Sequence, residues 1–431
     1  MADARRVRFL VPWLLACGGN GATLLPTDAA VDVSPDVMQA VDASDAKADV
    51  AVEAGAYGAP SSTYPAFTPW MGQLTNNGGP ILSAPIVVTI TWDDDTTGRP
   101  IFEPFGDEIG ASSYWSAAVG EWGVGPVTSG APNHVHISTT APTQWADSDV
   151  QTFIQGNMGG VLPTYAAQMI YVFYISPSTT FMFEGQNACG SIGGYHDDFV
   201  YNTTDISYAV LPHCSTPSKM TQYASHEIGE ASTDPDPSTR PGINGFDDPY
   251  LAFEEWQRGN VENGDACEFF PDSDYTEMAP FAFQVQRLWS NKMGPLGHSP
   301  CQPFTTPYFN MAPLMLEDIM VDLSSEGGPA NFATKGYTCA LNQTIQIPIG
   351  FYSDSATGPW TVTVAESNPL VDPVTGRLTL SIDPAKTSGV NGEQTNINVT
   401  VIAQGPLNAE LLTIISTLGT TTHYLPLLIA N

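Results

Sequence analysis

The sequence predicts a layered α/β or α+β domain that is followed by an antiparallel β-sandwich. In residues 63–308, short apolar runs at 86–92 and 169–175 alternate with a helical pattern, as strands and helices do in layered cores. In residues 320–431, apolar and polar residues alternate instead with a period of two, which is typical of strands with one buried face. These two patterns predict two folded domains.

The N-terminus predicts export and lipid anchoring. Arg5, Arg6 and Arg8 precede an apolar stretch at residues 9–16, which is far shorter than the roughly 20 residues that span a bilayer and suits a signal peptide. The stretch ends in Leu-Leu-Ala-Cys at Cys17, which resembles the bacterial lipobox. We therefore expect residues 1–17 to be a lipoprotein signal and the lipidated Cys17 to attach the chain to the membrane. The alternative is an ordinary signal peptide with an incidental cysteine.

Residues 18–62 have the composition of a disordered tether. They are mostly Ala, Asp and Val with almost no aromatic residues, so they cannot bury enough apolar surface to offset the entropy of ordering. The whole chain carries 13 Lys and Arg against 45 Asp and Glu, a net charge of −32. That charge argues against nucleic-acid binding. The expected location is extracytoplasmic, either anchored to the bacterial envelope or secreted.

The cysteines predict two disulfides. Five of the six cysteines follow Cys17, and their proximity in sequence favours Cys189–Cys214 and Cys267–Cys301, with Cys339 left over. This usage fits an oxidising compartment.

Further elements follow from local patterns in the first domain. Residues 207–211 form a third apolar run, and Asp147 or Ser148 can cap a helix that carries Val150, Phe153 and Ile154 on one face.

The second domain is predicted to be an immunoglobulin-like β-sandwich with a structural or adhesive role, because no catalytic constellation is found in it. Its alternating apolar residues are Ile345, Ile347, Ile349, Val362, Val364, Leu378, Leu380, Ile382, Ile397, Val399 and Val401. The segments between them contain turn-forming residues, as strand connections in sandwiches do.

A helix is predicted between Thr216 and Pro235. Thr216 offers a capping hydroxyl and Pro217 suits the first helical position, while Pro235 ends the helix. The residues that share its apolar stripe are Met220, Ala224, Ile228 and Ala231. We expect this stripe to face the core.

The opposite face of this helix carries the candidate chemistry. His226 and Glu230 are four residues apart, so they lie one turn apart on one face, and Glu227 lies beside His226. This is a zincin-like arrangement, H-E-x-x-E, in which two residues bind zinc and Glu227 serves as the general base. Ca²⁺ is the alternative ion. A solvated polar face is the alternative interpretation, although Gly229, costly in mid-helix, favours a close approach by another segment.

A further metal ligand has to come from another segment. Glu262 and Asp265 lie about thirty residues downstream, beside Cys267, where glutamate-type zinc sites take a ligand. Asp234, one turn along the helix, is a rival, and the loop histidines His196 and His298 are weaker ones.

At these residues the chain resembles bacterial relatives of the EXORDIUM-like, phosphate-induced family. The similarity covers roughly residues 75–303. The matching segments are Cys189-Gly190, Gly194-Tyr195-His196, Ser225-His226-Glu227-Ile228-Gly229-Glu230, Thr233-Asp234-Pro235, Glu262 to Cys267, Trp289-Ser290-Asn291 and Cys301. The resemblance implies secretion more firmly than catalysis, because the plant members lack the His-Glu pair and are regarded as extracellular, growth-related proteins.

Two functions are therefore expected. The first is a zinc-dependent hydrolase, a peptidase, in which Glu227 activates water. The second is a non-catalytic surface protein that binds glycan or a partner and holds at most a structural metal. An open coordination position would favour the first, because structural zinc sites are closed by four protein ligands.

Overall fold

The computed structural model describes residues 58–431, except 247–249, 258–260, 327, 384–385 and 406 and the side chains of 255–257 and 326. The predictions for the signal peptide, for Cys17 and for most of the tether lie outside these residues.

Residues up to 302 contain helices and strands in a mixed order. The helices are α1 (Arg99–Ile109), α2 (Ser113–Val119), α3 (Asp147–Asn157), α4 (Pro217–Thr233), α5 (Leu251–Gln257) and α6 (Asp265–Glu268). The strands are β1 (Leu74–Asn76), β2 (Ile86–Trp92), β3 (His134–Ile137), β4 (Gln144–Ala146), β5 (Met169–Tyr174), β6 (Thr180–Phe183), β7 (Gln186–Asn187), β8 (Tyr195–Tyr201), β9 (Thr204–Leu211), β10 (Ile243–Phe246), β11 (Asp274–Thr276), β12 (Gln284–Gln286), β13 (Leu288–Trp289) and β14 (Cys301–Gln302).

The rest of the described chain consists of strands and one short 3₁₀ helix, Ser324–Glu326. The strands are β15 (Phe309–Pro313), β16 (Glu317–Val321), β17 (Phe332–Thr338), β18 (Thr344–Ser353), β19 (Trp360–Glu366), β20 (Leu378–Ile382), β21 (Ser388–Gly389), β22 (Gln394–Val401), β23 (Ala409–Leu418) and β24 (Thr421–Ala430). The protein is thus β-rich with mixed α/β content, as expected at this coarse level.

The central sheet of the first part has the strand order β3-β2-β5-β9-β8. Its first four strands are parallel, and β8 pairs antiparallel with β9 at one edge. The three predicted apolar runs form β2, β5 and β9. They are buried along most of their length because helices or loops cover both faces.

Helix α4 packs on one face of this sheet. The Thr216 side chain accepts a hydrogen bond from Lys219 N, and Pro217 begins the helix. The predicted apolar stripe is fully buried, in one core cluster with sheet residues such as Ile170 and Val172. The position of α4 is therefore set by apolar burial, which turns its polar face towards the segment around residue 264.

Helix α3 covers the other face of the sheet, and one detail of its prediction was wrong. Val150 and Ile154 are buried as expected, but the N-cap position is Ala146, so Asp147 and Ser148 are already helical and neither is the cap. Asp147 Oδ1 instead accepts hydrogen bonds from the hydroxyls of Tyr195 (2.7 Å) and Tyr208 (2.6 Å). Asp149 instead accepts a hydrogen bond from Ala146 N at 2.9 Å.

The strands from β15 onwards form two sheets with the orders β15-β18-β22-β20 and β16-β17-β24-β23-β19-β21. Residues of both sheets belong to one hydrophobic core cluster, which includes Trp360, Phe351 and Leu427. The predicted alternating segments lie on β18, β19, β20 and β22. Strands β15 and β16 join these sheets, so the C-terminal part begins before the predicted residue 320.

Three hydrogen bonds connect the beginning and middle of the chain to these C-terminal sheets. Ser61 N donates to Asn391 O at 2.8 Å, although Ser61 falls within the predicted tether. At the start of α5, Leu251 N donates to Thr334 Oγ1 at 3.0 Å and the Tyr250 hydroxyl donates to Pro426 O. The two parts of the chain are therefore joined through specific hydrogen bonds.

The structure contains both predicted disulfides, Cys189–Cys214 and Cys267–Cys301. Cys339 is a free, buried cysteine, as predicted. These bonds indicate an oxidising, extracytoplasmic environment. Among the described residues, no helix is both long and apolar enough to cross a membrane.

Candidate metal centre

The polar face of α4 is buried. Glu230 is 2% exposed, Glu227 5% and His226 9%, so the alternative of a solvated polar face is wrong. Strand β12 and the turn before α6 cover this face, and the clustered ionisable groups must therefore find their partners inside the protein.

His226 is oriented by Gln286 of β12. The Gln286 side-chain amide donates from Nε2 to Gly264 O at 2.8 Å, which leaves its Oε1 as the acceptor that faces His226 Nδ1 at 3.1 Å. Because Oε1 can only accept, His226 Nδ1 must carry the proton that it donates. In the neutral ring, the Nε2 lone pair then points towards Glu230 Oε2 at 3.0 Å and Asp265 Oδ1 at 3.5 Å.

Glu230 is held by backbone amides on one side only. Its Oε1 accepts hydrogen bonds from the N–H groups of Gly264 and Asp265, each at 3.0 Å. Its Oε2 is left to face the histidines. The turn that supplies these amides needs glycine at 264, because a Cβ there would lie 2.7 Å from Glu230 Oε1 and 2.9 Å from His226 Nδ1.

His226, Glu230 and Asp265 thus form one set of potential ligand atoms, all within 4.8 Å of one another. Of the two downstream residues that the sequence predicted, Asp265 belongs to this set. The Asp265 side chain is 30% exposed and is the most exposed of these three ligands. Glu262 lies elsewhere, with its Oε1 3.7 Å from Nε2 of His196.

His196, only a weak candidate from the sequence, lies inside the cluster. It is on edge strand β8, its side chain is only 4% exposed, and its Nδ1 lies 3.7 Å from Glu227 Oε2 and 3.6 Å from Glu230 Oε2. His196, Glu227 and Glu230 form a second set of potential ligand atoms within 4.8 Å. The sequence feature that could have indicated His196 is Gly194, two residues before it. A glycine there lets the chain that enters β8 approach α4 closely, because a Cβ would lie 2.9 Å from the Glu227 side chain.

The remaining rivals have other partners. Asp234 is fully buried at the end of α4, where its Oδ1 accepts the Gly242 N–H at 2.7 Å. Asn244 Nδ2 lies 3.4 Å from Asp234 Oδ2 and 3.4 Å from Glu262 Oε1. His298 pairs with Asp354 at 3.0 Å. Neither Asp234 nor His298 belongs to a ligand set among the described residues.

The pKa values within the cluster shift in opposite directions. Burial disfavours the charged form of every group, but the carboxylates of Glu230 and Glu227 outweigh it at His226 and raise its pKa well above the usual value. The histidines in turn lower the pKa of Glu230 despite burial. For Glu227 and Glu262, burial prevails and raises the pKa. The cluster therefore holds more carboxylates than its two histidines can neutralise, and it favours added positive charge.

Gly229 serves packing rather than the metal centre. A Cβ at this position would lie 2.4 Å from Leu288 Cδ1. The close approach that its mid-helix position predicts is therefore present, and Leu288 of β13 is the residue that makes it.

No protein-family model matches the chain, and no curated protein matches it. The donor set itself is informative, because imidazole with carboxylate oxygens suits Zn²⁺ and other first-row divalent ions. Each of the two sets offers three protein atoms, and a tetrahedral ion held by three protein ligands keeps a position for water.

Proposed function

We propose that this chain is a metal-dependent hydrolase that uses Zn²⁺ as its ion and a peptide as its substrate. The proposal rests on one observation: His226 Nε2, Glu230 Oε2 and Asp265 Oδ1 converge from α4 and from the start of α6. Glu227 lies beside them, in the second set with His196 and Glu230. Separations of 3.0 and 3.5 Å between these ligand atoms are close to the about 3.3 Å expected around a tetrahedral ion with bonds of about 2.0 Å.

The bound ion would polarise a substrate carbonyl and acidify water. The chain's own residues supply the rest. Gln286 holds the imidazole of His226 in the tautomer that presents Nε2, and the amides of Gly264 and Asp265 fix Glu230. Glu227 accepts a proton from the attacking water. Its raised pKa, a result of burial, brings it closer to the range in which a general base works at neutral pH.

The edge strand β8 favours a peptide as the substrate. Within the described sheet β8 pairs only with β9, and it carries His196 into the cluster. An extended peptide can add to such an edge through main-chain hydrogen bonds, and its carbonyl groups would then pass beside α4.

The remaining expectations complete the proposal. Lipidation at Cys17 would place the hydrolase on the cell envelope, the membrane being its partner there. The C-terminal sheets would form the β-sandwich and serve a structural or adhesive role. The EXORDIUM-like relationship stays a prediction, as does the alternative of a non-catalytic, glycan-binding surface protein with a structural metal or Ca²⁺.

The test is metal analysis and peptidase assay of purified full-length variants supplied with zinc. His226→Ala and Asp265→Ala should lose the activity and the ion held by His226, Glu230 and Asp265. Glu227→Gln should keep the ion at His226 and lose activity by about 10²- to 10⁴-fold, the usual contribution of a general base. The matched control is His134→Ala, because His134 pairs with Asp107 and lies on β3, at the edge of the sheet opposite β8. A protein that binds no ion would refute the proposal, while an ion whose loss affects only stability would support the structural alternative.

A further inference from the structure

The two ligand sets of the centre meet at a single atom. Glu230 Oε2 lies 3.0 Å from His226 Nε2 on one side and 3.6 Å from His196 Nδ1 on the other. Neither set of three contains both histidines. The second set, formed by His196, Glu227 and Glu230, is thus complete without any residue of the first except the shared Glu230.

The hydrogen bond of His196 sets its tautomer. His196 Nε2 lies 3.1 Å from Asp234 O, a backbone carbonyl that can only accept. Nε2 must therefore donate, so in the neutral ring Nδ1 carries a lone pair. This lone pair faces carboxylate oxygens of Glu227 and Glu230 at 3.7 and 3.6 Å, distances too long for a hydrogen bond.

Two carboxylates that face this nitrogen favour a positive charge there, which either a proton on the ring or a metal ion can supply. Ring nitrogens that bind metals characteristically have the other nitrogen donating to a carbonyl or carboxylate, and both histidines follow this rule. The distances of 3.6 and 3.7 Å are those of atoms around an ion rather than of atoms that bond directly, given about 3.3 Å between ligands in a tetrahedral site.

We propose that the centre binds two divalent cations, one at each set, with Glu230 bridging them. This inference rests on the proposed metal-dependent hydrolase. Two ions that share a carboxylate lie about 3.5–4 Å apart in hydrolytic sites, where together they hold the attacking and leaving oxygens. Glu227 holds the second ion through Oε2, and its other oxygen remains available to accept a proton.

The experiment is a zinc stoichiometry on the full-length protein after removal of loosely bound ions, with Mn²⁺-loaded samples examined by electron paramagnetic resonance. Wild type should hold two equivalents, and its Mn²⁺ pair should show spin coupling. His196→Gln and Asp265→Ala should each retain one equivalent and lose the coupling. Glu230→Ala should lose both, and the control His134→Ala should keep both.

The outcomes separate this inference from the proposed function. One equivalent in wild type, unchanged in His196→Gln, would overturn the second site and leave the hydrolase proposal standing. No bound zinc at all would overturn both. If His196→Gln fails to fold, Glu227→Gln decides: the two-ion centre requires it to lose one equivalent, and two retained equivalents would refute the assignment of Glu227.

Discussion

Gly264 lies against Glu230 so closely that a Cβ atom on Gly264 would be 2.7 Å from Glu230 Oε1. The substitution Gly264→Ala should push the turn away from α4, weakening the two amide hydrogen bonds that hold Glu230. We expect zinc affinity to fall by about 10- to 100-fold, as for other losses of the groups that orient ligands. Titration with a chromogenic zinc chelator measures this change. Gly156→Ala is the matched control, since nothing lies within 4 Å of its Cβ position, and unchanged affinity in Gly264→Ala would contradict the prediction.

Removal of the Gln286 side-chain amide should disturb His226 without removing a ligand. Gln286→Ala leaves His226 Nδ1 without the acceptor at 3.1 Å, so the ring is free to turn or to change tautomer. Zinc affinity should fall by roughly 10- to 100-fold, and zinc binding should become more dependent on pH. Gln284→Ala, on the same strand, should leave both properties unchanged. Equal affinities in the two variants would show that Gln286 does not position His226.

Gly229→Ala tests the contact between α4 and β13. A Cβ 2.4 Å from Leu288 Cδ1 forces the core apart, which costs about 1–3 kcal/mol, while the gain in helix propensity is only about 1 kcal/mol. We expect lower stability in urea unfolding. Leu288→Ala removes the side chain that clashes, so the double variant should be more stable than the sum of the two single effects predicts. Strict additivity would argue that the two residues do not clash.

His423 should make the C-terminal sheets sensitive to acid. Its ring is 1% exposed and packs against Phe304, Tyr308 and Phe309, and burial, with a smaller effect of Arg287, lowers its pKa from 6.5 to about 3. The folded state therefore binds this proton more weakly than the unfolded chain. Stability should be complete above pH 6.5 and decline as the pH falls towards 3, by about 3 kcal/mol at pH 4.5 from this group alone.

The check is the free energy of unfolding at pH 7 and pH 4.5. His423→Phe keeps an aromatic ring in the site and should remove about that part of the acid-induced loss. His136→Phe, on an exposed part of β3, should not. If His423→Phe shows the wild-type dependence on pH, the protonation of His423 does not contribute.

The elements with strong periodicity could be predicted from the sequence, whereas the place of His196 in the metal centre could not. The strands β2, β5 and β9 and the buried stripe of α4 follow from local patterns of apolar residues, and the two disulfides follow from proximity. His226 and Glu230 are paired by helix geometry, which a sequence displays directly. His196 reaches Glu230 only because β8 pairs with β9 beside α4, and no spacing within the sequence records that pairing.

The sequence also could not distinguish Asp265 from Glu262 as the ligand that joins His226 and Glu230. The two residues lie three apart at the start of α6, and both are acidic and close to Cys267. Their roles separate because Asp265 N and Gly264 N both donate to Glu230 Oε1, which turns the Asp265 side chain towards His226 and leaves Glu262 near His196. A backbone contact of this kind depends on tertiary packing rather than on residue type.

The disulfide between Cys267 and Cys301 links the completion of the centre to the biogenesis of the protein. It closes a loop of 34 residues, a constraint worth about 3–4 kcal/mol in the entropy of the unfolded chain, and Asp265 lies two residues from one end of it. A newly made chain in a reducing cytoplasm lacks this constraint. On the proposed assignment, the segment that carries Asp265 would gain this constraint only once the chain reaches an oxidising compartment, so formation of the metal centre would be coupled to oxidation of the two cysteines.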